Sequence, residues 1–216
     1  MSVTISRLYD DYSAASQAVR DLEAAGLSSS DISIVASNAD NWYRGDKTGK
    51  RTARVDKDHD GTDDRVEGAE AGAGIGAVLG GAAGLLAGLG LIAIPGIGPV
   101  VAAGWLIATG AGAVAGGAAG GLIGGLTQAG VSKEEAHVYA EGVRRGGTLV
   151  SARVPDRERT RYEAILDRSA INIRERGEAY RREGWAGFDE SAPSYTAEQA
   201  RRERETYGSR GIDRPL

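Results

Sequence analysis

Residues 3–37 read VTISRLYDDYSAASQAVRDLEAAGLSSSDISIVAS and predict a strand, a helix and a second strand. Two short runs alternate apolar and polar residues with the two-residue period of a strand: Val3 and Ile5, then Ile32, Ile34 and Ala36. Between them, apolar residues recur at the i, i+3, i+4, i+7 spacing of a helix: Ala15, Ala18, Val19 and Leu22. We expect Gly26 to end that helix in a left-handed cap. Residues 1–38 are therefore the first βαβ half of an α+β domain.

The pattern resumes at residue 131. Ser132 and Glu135 form a capping box at the start of a helix, which Gly146 and Gly147 end. The apolar face of that helix consists of Ala136, Tyr139, Ala140 and Val143. A strand at Val150, Ala152 and Val154, a helix at Tyr162, Ile165 and Leu166 and a short strand at Ile171 and Ile173 follow. Residues 131–175 thus complete a ferredoxin-like βαβ…αβαβ fold.

An uncharged segment separates the two halves. Residues 71–132 are 62 consecutive residues without Asp, Glu, Lys, Arg or His, and they hold 20 of the 33 glycines of the chain. All 56 charged side chains lie in the other 154 residues, which indicates two different environments for the two parts. A net charge of -4 argues against a general nucleic-acid binder, and the absence of cysteine excludes disulfides and thiolate metal sites.

Glycine recurs at every fourth position within this segment. Pro95, Gly96, Gly98 and Pro99 predict a turn, so residues 70–130 are expected to form an antiparallel hairpin of helices at 70–94 and 99–129. Each glycine in a helix costs roughly 0.5–1 kcal/mol relative to alanine, which close backbone packing can offset. The predicted self-association residues are Gly72, Gly76, Gly80, Gly84, Gly88, Gly112, Gly116, Gly120 and Gly124. We call these two series the glycine ladders.

The surroundings of the predicted hairpin have two interpretations. A helix over residues 70–94 would be ~36 Å long, enough to cross a bilayer with some tilt. The first interpretation is a membrane-inserted hairpin, although Gly and Ala contribute little transfer energy. The second is a hairpin buried inside a soluble homo-oligomer such as a ring or shell. In both, the hairpin is too apolar to stand alone in water.

The polar linker at residues 39–69 contains the acidic loop DKDHDGTDDRVE, residues 56–67. This loop fits the D-x-D-x-D-G-x5-E pattern, which places oxygen ligands around Ca²⁺. The candidate ligands are Asp56, Asp58, Asp60, Thr62, Asp64 and Glu67. Asp63 stands where an EF-hand normally has an apolar residue, and no amphipathic helix clearly precedes Asp56. A solvated acidic linker is the other interpretation.

No catalytic arrangement is evident. The two histidines, His59 and His137, are not part of a serine–acid constellation, and the chain has neither a P-loop nor a serine nucleophile elbow. We therefore expect a protein that is not an enzyme and has no small-molecule substrate.

Residues 176–216 form a charged C-terminal tail. Thr196 and Gln199 would cap a short helix through Arg204. The aromatic residues Tyr180, Trp185, Phe188 and Tyr195 would anchor the tail to the domain or to a neighbour, and a mostly flexible tail is the alternative.

Three stretches together resemble a known family: TISRLYDDYSAASQAVRDLEAAGLSSSDISIVAS (4–37), IPGIGPVVAAGW (94–105) and EEAHVYAEGVRRGGTLVSARV (134–154). The chain resembles the bacterial general stress proteins typified by heat-induced stress protein YflT, and more closely the longer proteobacterial members with a Gly-rich, membrane-like insertion. The resemblance implies a stress-associated bacterial protein without assigned catalytic residues.

These patterns lead to one functional hypothesis with alternatives. The first is a non-enzymatic stress protein that self-assembles through the glycine ladders, with the hairpin in the bacterial cytoplasmic membrane, the α+β domain in the cytoplasm and the sheet open to further pairing. The second is a cytoplasmic soluble assembly of the same chain. The third is a calcium-responsive binding module. The expected partners are further copies of the chain and a lipid bilayer.

Overall fold

The computed structural model describes residues 1–43, 90–94, 97–106 and 121–208. Five strands lie in this part of the chain: β1 (Ser2–Tyr9), β2 (Ile32–Ser37), β3 (Gly90–Ile94), β4 (Gly98–Gly104) and β5 (Thr148–Pro155). Its six α-helices are α1 (Tyr12–Ala24), α2 (Gly121–Gln128), α3 (Lys133–Arg144), α4 (Arg159–Leu166), α5 (Ile173–Arg182) and α6 (Ala197–Gly208). The expectation of an α+β fold is confirmed.

The strands form one antiparallel sheet in the order β1-β5-β2-β4-β3. β5, the last strand in sequence, lies between the first two, with Val150 opposite Arg7 on one side and Ile34 on the other. β1 and β2 are therefore parallel to each other but are not neighbours. The second half of the chain completes the sheet that the first half begins.

The local predictions for the first half are confirmed. Asp11 caps α1 by accepting a hydrogen bond from the Ala14 amide at 2.8 Å, and Gly26 follows the helix with φ +95°. The apolar face of α1 packs with α4 against one face of the sheet. Tyr9 strengthens this layer because its hydroxyl donates to the Leu166 carbonyl at 2.9 Å.

A second layer of helices covers the opposite face of the sheet. Ile32 and Ile34 pack towards α1 and α4, whereas Val35 packs towards α2 and α3. Every residue of β2 is consequently buried, including its serines. Ser33 donates to the Ala103 carbonyl at 3.0 Å, and the hydroxyls of Ser6 and Ser151 are 2.8 Å apart. The serines at the polar positions of these strands are therefore buried and hydrogen-bond within the sheet.

The predicted helical hairpin is wrong at residues 90–94 and 98–104, which form the β-hairpin of β3 and β4. Ile92, Ile94, Val100 and Val101 are β-branched, a class that favours strands, and they flank the Pro-Gly turn signal on both sides. Of the two predicted helices, residues 121–128 are helical in α2. Residues 70–89 and 107–120 lie outside the described residues.

The expected fourth strand at Ile171 and Ile173 is also wrong. The Ile171 amide donates to the Leu8 carbonyl at 2.8 Å, so the chain does run beside β1 for one residue. It then turns into α5 because Asn172 is a helix N-cap, whose side chain accepts from the amides of Arg174 and Glu175. A strong cap therefore ends the strand pairing before it can extend.

Both predicted helix N-caps, at Ser132 and Thr196, are formed. The Glu135 amide donates to the Ser132 hydroxyl at 3.2 Å, and the Gln199 amide donates to the Thr196 hydroxyl at 3.2 Å. The helix after Thr196 extends to Gly208, beyond the expected end at Arg204. The C-terminal residues through 208 are therefore two helices, α5 and α6, in place of the alternative of a flexible tail.

Gly104 and Gly26 provide a matched pair for testing the β4–β2 contact. Both have a positive φ, +97° and +95°, but a Cβ on Gly104 would overlap the Ile32 carbonyl oxygen, whereas a Cβ on Gly26 would meet nothing within 4 Å. We expect Gly26→Ala to lower the free energy of unfolding by about 1–2 kcal/mol, the cost of the left-handed conformation. Gly104→Ala should lower it by about 4 kcal/mol because backbone must also move.

Denaturant titration followed by circular dichroism measures both variants. Equal losses in the two would contradict the close approach of β4 to β2 at Gly104.

Candidate functional site

The structure describes few of the residues predicted to be functional. The candidate calcium ligands Asp56, Asp58, Asp60, Thr62, Asp64 and Glu67 lie outside the described residues, as does His59. So do eight of the nine ladder glycines: Gly72, Gly76, Gly80, Gly84, Gly88, Gly112, Gly116 and Gly120. Gly124, the last glycine of the second ladder, lies within α2. His137 is half-buried on α3, where its Nδ1 accepts a hydrogen bond from the Phe188 amide at 3.3 Å.

The most highly charged buried site lies at the C-terminal end of α3, in the EGVRRGG stretch at residues 141–147. Glu141 is fully buried and binds two arginines. Arg144 donates to it twice, at 2.9 and 2.7 Å, and Arg145 donates at 2.6 Å. The bidentate geometry and the second arginine satisfy a carboxylate that would otherwise be costly to bury.

Arg145 connects this cluster to the C-terminal helices. Its NH1 group donates to Glu183 at 3.1 Å, after α5, and to Glu203 at 3.2 Å, on α6. The guanidinium also lies 4.0 Å from the centre of the Tyr180 ring, a cation–π contact. Burial alone would lower the pKa of Arg145, but the hydrogen bond to Glu141 and the charges of Glu203 and Glu141 outweigh it and raise the pKa.

Two further ion pairs join the C-terminal helices to the first half of the fold. Arg176 on α5 donates to Asp10 at 2.9 Å. Arg204 on α6 donates to Asp40 at 2.6 Å and to the Gly146 carbonyl at 3.3 Å. The Tyr207 hydroxyl donates to Glu183. We call this set of interactions around Glu141 and Arg145 the α3–α6 charge network, and its geometry holds α5 and α6 on α3.

The sequence analysis did not identify this network. Glu141, Arg144 and Arg145 have the i, i+3, i+4 spacing of side chains that meet on a helix surface, which is a recognisable pattern. Their burial depends on α6, a segment about 60 residues later whose position the spacing does not reveal. Tyr180, Trp185 and Phe188 do pack into the domain, as the anchor hypothesis for the tail predicted.

A cleft of about 600 Å³ lies along the outer edge of β1. Arg7 forms an ion pair with Asp167 at 2.5 Å there, and Arg159 forms one with Glu163 at 2.8 Å. The Tyr139 hydroxyl donates to the Ser6 carbonyl at 2.7 Å, and burial raises the pKa of this tyrosine to about 12. These groups are paired with one another, so the cleft presents ion pairs to solvent.

An aromatic cluster lies at the start of the polar linker, before the acidic loop. Trp42 is 40 % exposed, and its ring centre is 4.7 Å from that of Tyr12. The indole is held in place because its Nε1 donates to the Ser37 carbonyl at 2.8 Å. This cluster is an apolar surface feature that the sequence analysis did not single out.

Two properties of the described residues bear on the predicted sites. Among residues 1–43, 90–94, 97–106 and 121–208, no group of three or more His, Cys, Asp or Glu side chains is arranged to hold a metal ion. Over the same ranges, no helix has the length and apolar character needed to cross a membrane.

Comparison with models of known protein families, with curated proteins and with solved structures finds no match to this chain.

The α3–α6 charge network predicts opposite effects for two Glu→Gln substitutions. Glu141→Gln should lower the free energy of unfolding by about 3 kcal/mol because it removes the buried negative charge that pairs with the half-buried Arg144 and the buried Arg145. Glu203→Gln should raise it at pH 7, because burial raises the pKa of Glu203 and the folded state therefore disfavours its ionised form. Glutamine at this position keeps an oxygen that can accept a hydrogen bond from Arg145 but carries no negative charge.

The pH dependence follows from the same shift. A raised pKa in the folded state means that the favourable contribution of Glu203 is complete below its ordinary value of 4.5 and is lost as the pH rises through the folded-state pKa. The stability gain of Glu203→Gln over wild type should therefore grow between pH 4.5 and pH 7, measured by urea titration at each pH. A gain that is constant with pH would contradict the burial of an ionised Glu203.

Proposed function

We propose that this chain is a non-catalytic, stress-associated protein that self-associates, with the α+β domain as a scaffold for its uncharged glycine-rich segments. Contacts between copies run through the glycine ladders, and those segments lie in the cytoplasmic membrane. The proposal is supported by the 62-residue uncharged sequence, by the spacing of its glycines and by the open space beside Gly124 in the described fold.

The single observation that carries the proposal is the environment of Gly124. This glycine lies inside α2, where it costs about 1 kcal/mol relative to alanine. A Cβ at Gly124 would meet nothing within 4 Å, so packing among the described residues does not require a glycine there. Gly142, by contrast, lies against the domain core, where a Cβ would overlap the Leu8 side chain. A close backbone contact with another copy accounts for Gly124.

The connections of the uncharged segments also support the proposal. Gly90, the first residue of β3, is opposite Ala102 near the end of β4. Leu106 comes two residues after the end of β4, and Trp105 lines a cleft together with Gly125 of α2. The segment before Gly90 and the segment after Leu106 are therefore attached at the same end of the sheet. Such an attachment suits two segments that enter one layer, whether lipid or protein.

The membrane and the soluble assembly are distinguished by extraction. Carbonate treatment at high pH leaves a membrane-integral chain in the pellet and releases a soluble shell or ring. Recovery of the chain in the supernatant would favour the soluble homo-oligomer in which the uncharged segments pack inside the particle.

We infer that the topology is a variant of the ferredoxin-like arrangement. β1, α1 and β2 form a split βαβ unit with β5 inserted between the strands. The chain at Ile171 occupies the place beside β1 where a further strand would lie. The β3–β4 hairpin is an addition at the far edge. The first of the three stretches that resemble the YflT-type stress proteins, residues 4–37, covers the same βαβ half.

Substitutions in the first glycine ladder test the proposed self-association. Gly80→Leu combined with Gly84→Leu should abolish ladder-driven assembly, because bulky side chains prevent backbones from approaching closely. Light scattering of the purified protein measures the native mass. Val78→Leu combined with Ala82→Leu is the matched control, since these positions lie about 200° further round a helix.

An unchanged native mass in the Gly80→Leu, Gly84→Leu variant would overturn the proposal. Gly124→Leu is a further arm within the described helix α2, and it should weaken assembly without lowering the helix content.

Calcium binding by the acidic loop at residues 56–67 is a second proposal, carried by the complete D-x-D-x-D-G-x5-E pattern. We expect calorimetry to record heat when Ca²⁺ is added to wild type and none after Asp56→Ala with Asp60→Ala, because two of the carboxylate ligands are removed. Lys57→Ala serves as the control for a change within the loop at a non-ligand position. No heat with wild type, or equal heat with the double variant, would reject it.

A further inference from the structure

The two edges of the sheet differ in how they are protected. Antiparallel pairing directs the backbone groups of alternate residues to opposite sides of a strand. On β1, the carbonyls of Ser6 and Leu8 point outward, since they accept from Tyr139 and from Ile171. Arg7, also on β1, forms an ion pair with Asp167. These capped carbonyls and charges are features that keep an edge strand from pairing with another chain.

The other edge strand, β3, has none of these features in its sequence. Gly90–Ile94 reads GLIAI, without a charge or a proline. Within the described residues, β4 is the one strand that pairs with it, and its second side has no strand partner. An uncharged, regular strand at a sheet edge favours pairing with a further strand.

The register shows which groups of β3 face outward. Ala93 is opposite Pro99, and proline has no N–H, so this cannot be a hydrogen-bonded pair. The pairs that can exchange hydrogen bonds are therefore those of Gly90, Ile92 and Ile94. The same result follows from β1: its outward carbonyls and the registers of the four strand pairs fix which residues of each strand face each neighbour. Leu91 and Ala93 thus direct their N–H and C=O groups away from β4.

We propose that the β3 edge pairs with β3 of a second copy of this chain. A two-fold axis through Ile92 brings Leu91 of one copy opposite Ala93 of the other, and each of these two pairs exchanges two N–H···O bonds. The contact is self-complementary, as a two-fold interface requires, and it joins the two sheets into one of ten strands. The lack of charge on β3 favours an identical strand over a charged peptide.

This inference deepens the proposed self-association, and it takes from that proposal only the identity of the partner. The first glycine ladder ends at Gly88, two residues before β3 begins at Gly90, so contact between copies at the ladders would bring their β3 strands near one another. The two contacts are otherwise separable, because the proposed ladder contact uses the glycines and the edge contact uses the backbone of β3.

Ala93→Pro tests the edge contact. Because the Ala93 N–H faces away from β4, proline there removes an outward donor and leaves the β3–β4 bonds in place, as edge strands tolerate. The substitution is made in the Gly80→Leu, Gly84→Leu background, where the ladder contact is removed. We expect that background to be a dimer by light scattering and its Ala93→Pro form to have half that mass. Ala93→Val, which keeps the N–H, is the matched control and should remain a dimer.

The outcomes separate the two proposals. A monomer already in the ladder background overturns the edge contact and leaves the proposed function standing. A mass that stays at the wild-type assembly in the ladder background but falls by half with Ala93→Pro overturns the ladder proposal and supports the edge contact. No change in either variant overturns both.

Hydrogen exchange tests the same contact without the Ala93→Pro substitution. In the ladder background, exchange of the Leu91 and Ala93 amides should slow as the protein concentration rises through the dimerisation range. Protection of these amides that is independent of concentration would mean that the chain covers its own β3 edge, and would overturn the inference.

Discussion

The antiparallel pairing of β5 with both β1 and β2 is the interaction on which the fold depends. β5 begins 111 positions after the end of β2, yet it supplies the middle of the three strands that the two halves share. Its residues have register partners on both sides, so removal of β5 would separate β1 from the rest of the sheet. A contact at such a large sequence separation must overcome the entropy of closing a long loop, which grows only slowly with length. That slow growth is why a long uncharged segment can lie within the domain.

The second constraint is that both faces of the sheet are covered. α1 and α4 cover one face, and α2 and α3 cover the other. This arrangement buries Ser6, Ser33 and Ser151, whose hydroxyls find their partners within the sheet. It also places the EGVRRGG stretch beneath α6, so that Glu141 can be fully buried only because Arg144 and Arg145 compensate its charge. The α3–α6 charge network is the means by which a highly charged C-terminal segment packs as part of the domain.

Local physical chemistry predicted most of the elements and some of their ends. The period-two and period-3.6 patterns around Val3, Val19 and Val150 identified strands and helices because one face of each is apolar. The capping residues Ser132 and Thr196 marked helix starts because their side chains satisfy backbone amides that a helix leaves free. The uncharged segment was harder to interpret, since Gly and Ala carry little periodic signal. Glycine spacing suggested helices at residues 90–104, while the β-branched residues on either side of Pro95 and Pro99 form strands.

The sequence by itself determined an α+β chain in two halves, the position of an uncharged glycine-rich segment between them and the residues that begin several helices. These properties are local, because they follow from spacing, capping and charge within a few residues. Only the tertiary structure decided that β5 lies between β1 and β2, that the β3–β4 hairpin extends the sheet, that Asn172 ends the pairing beside β1 after one residue and that α6 buries Glu141. Each of these depends on which distant segments lie together, and segments with similar local patterns can pair in several ways until packing on both faces of the sheet selects one.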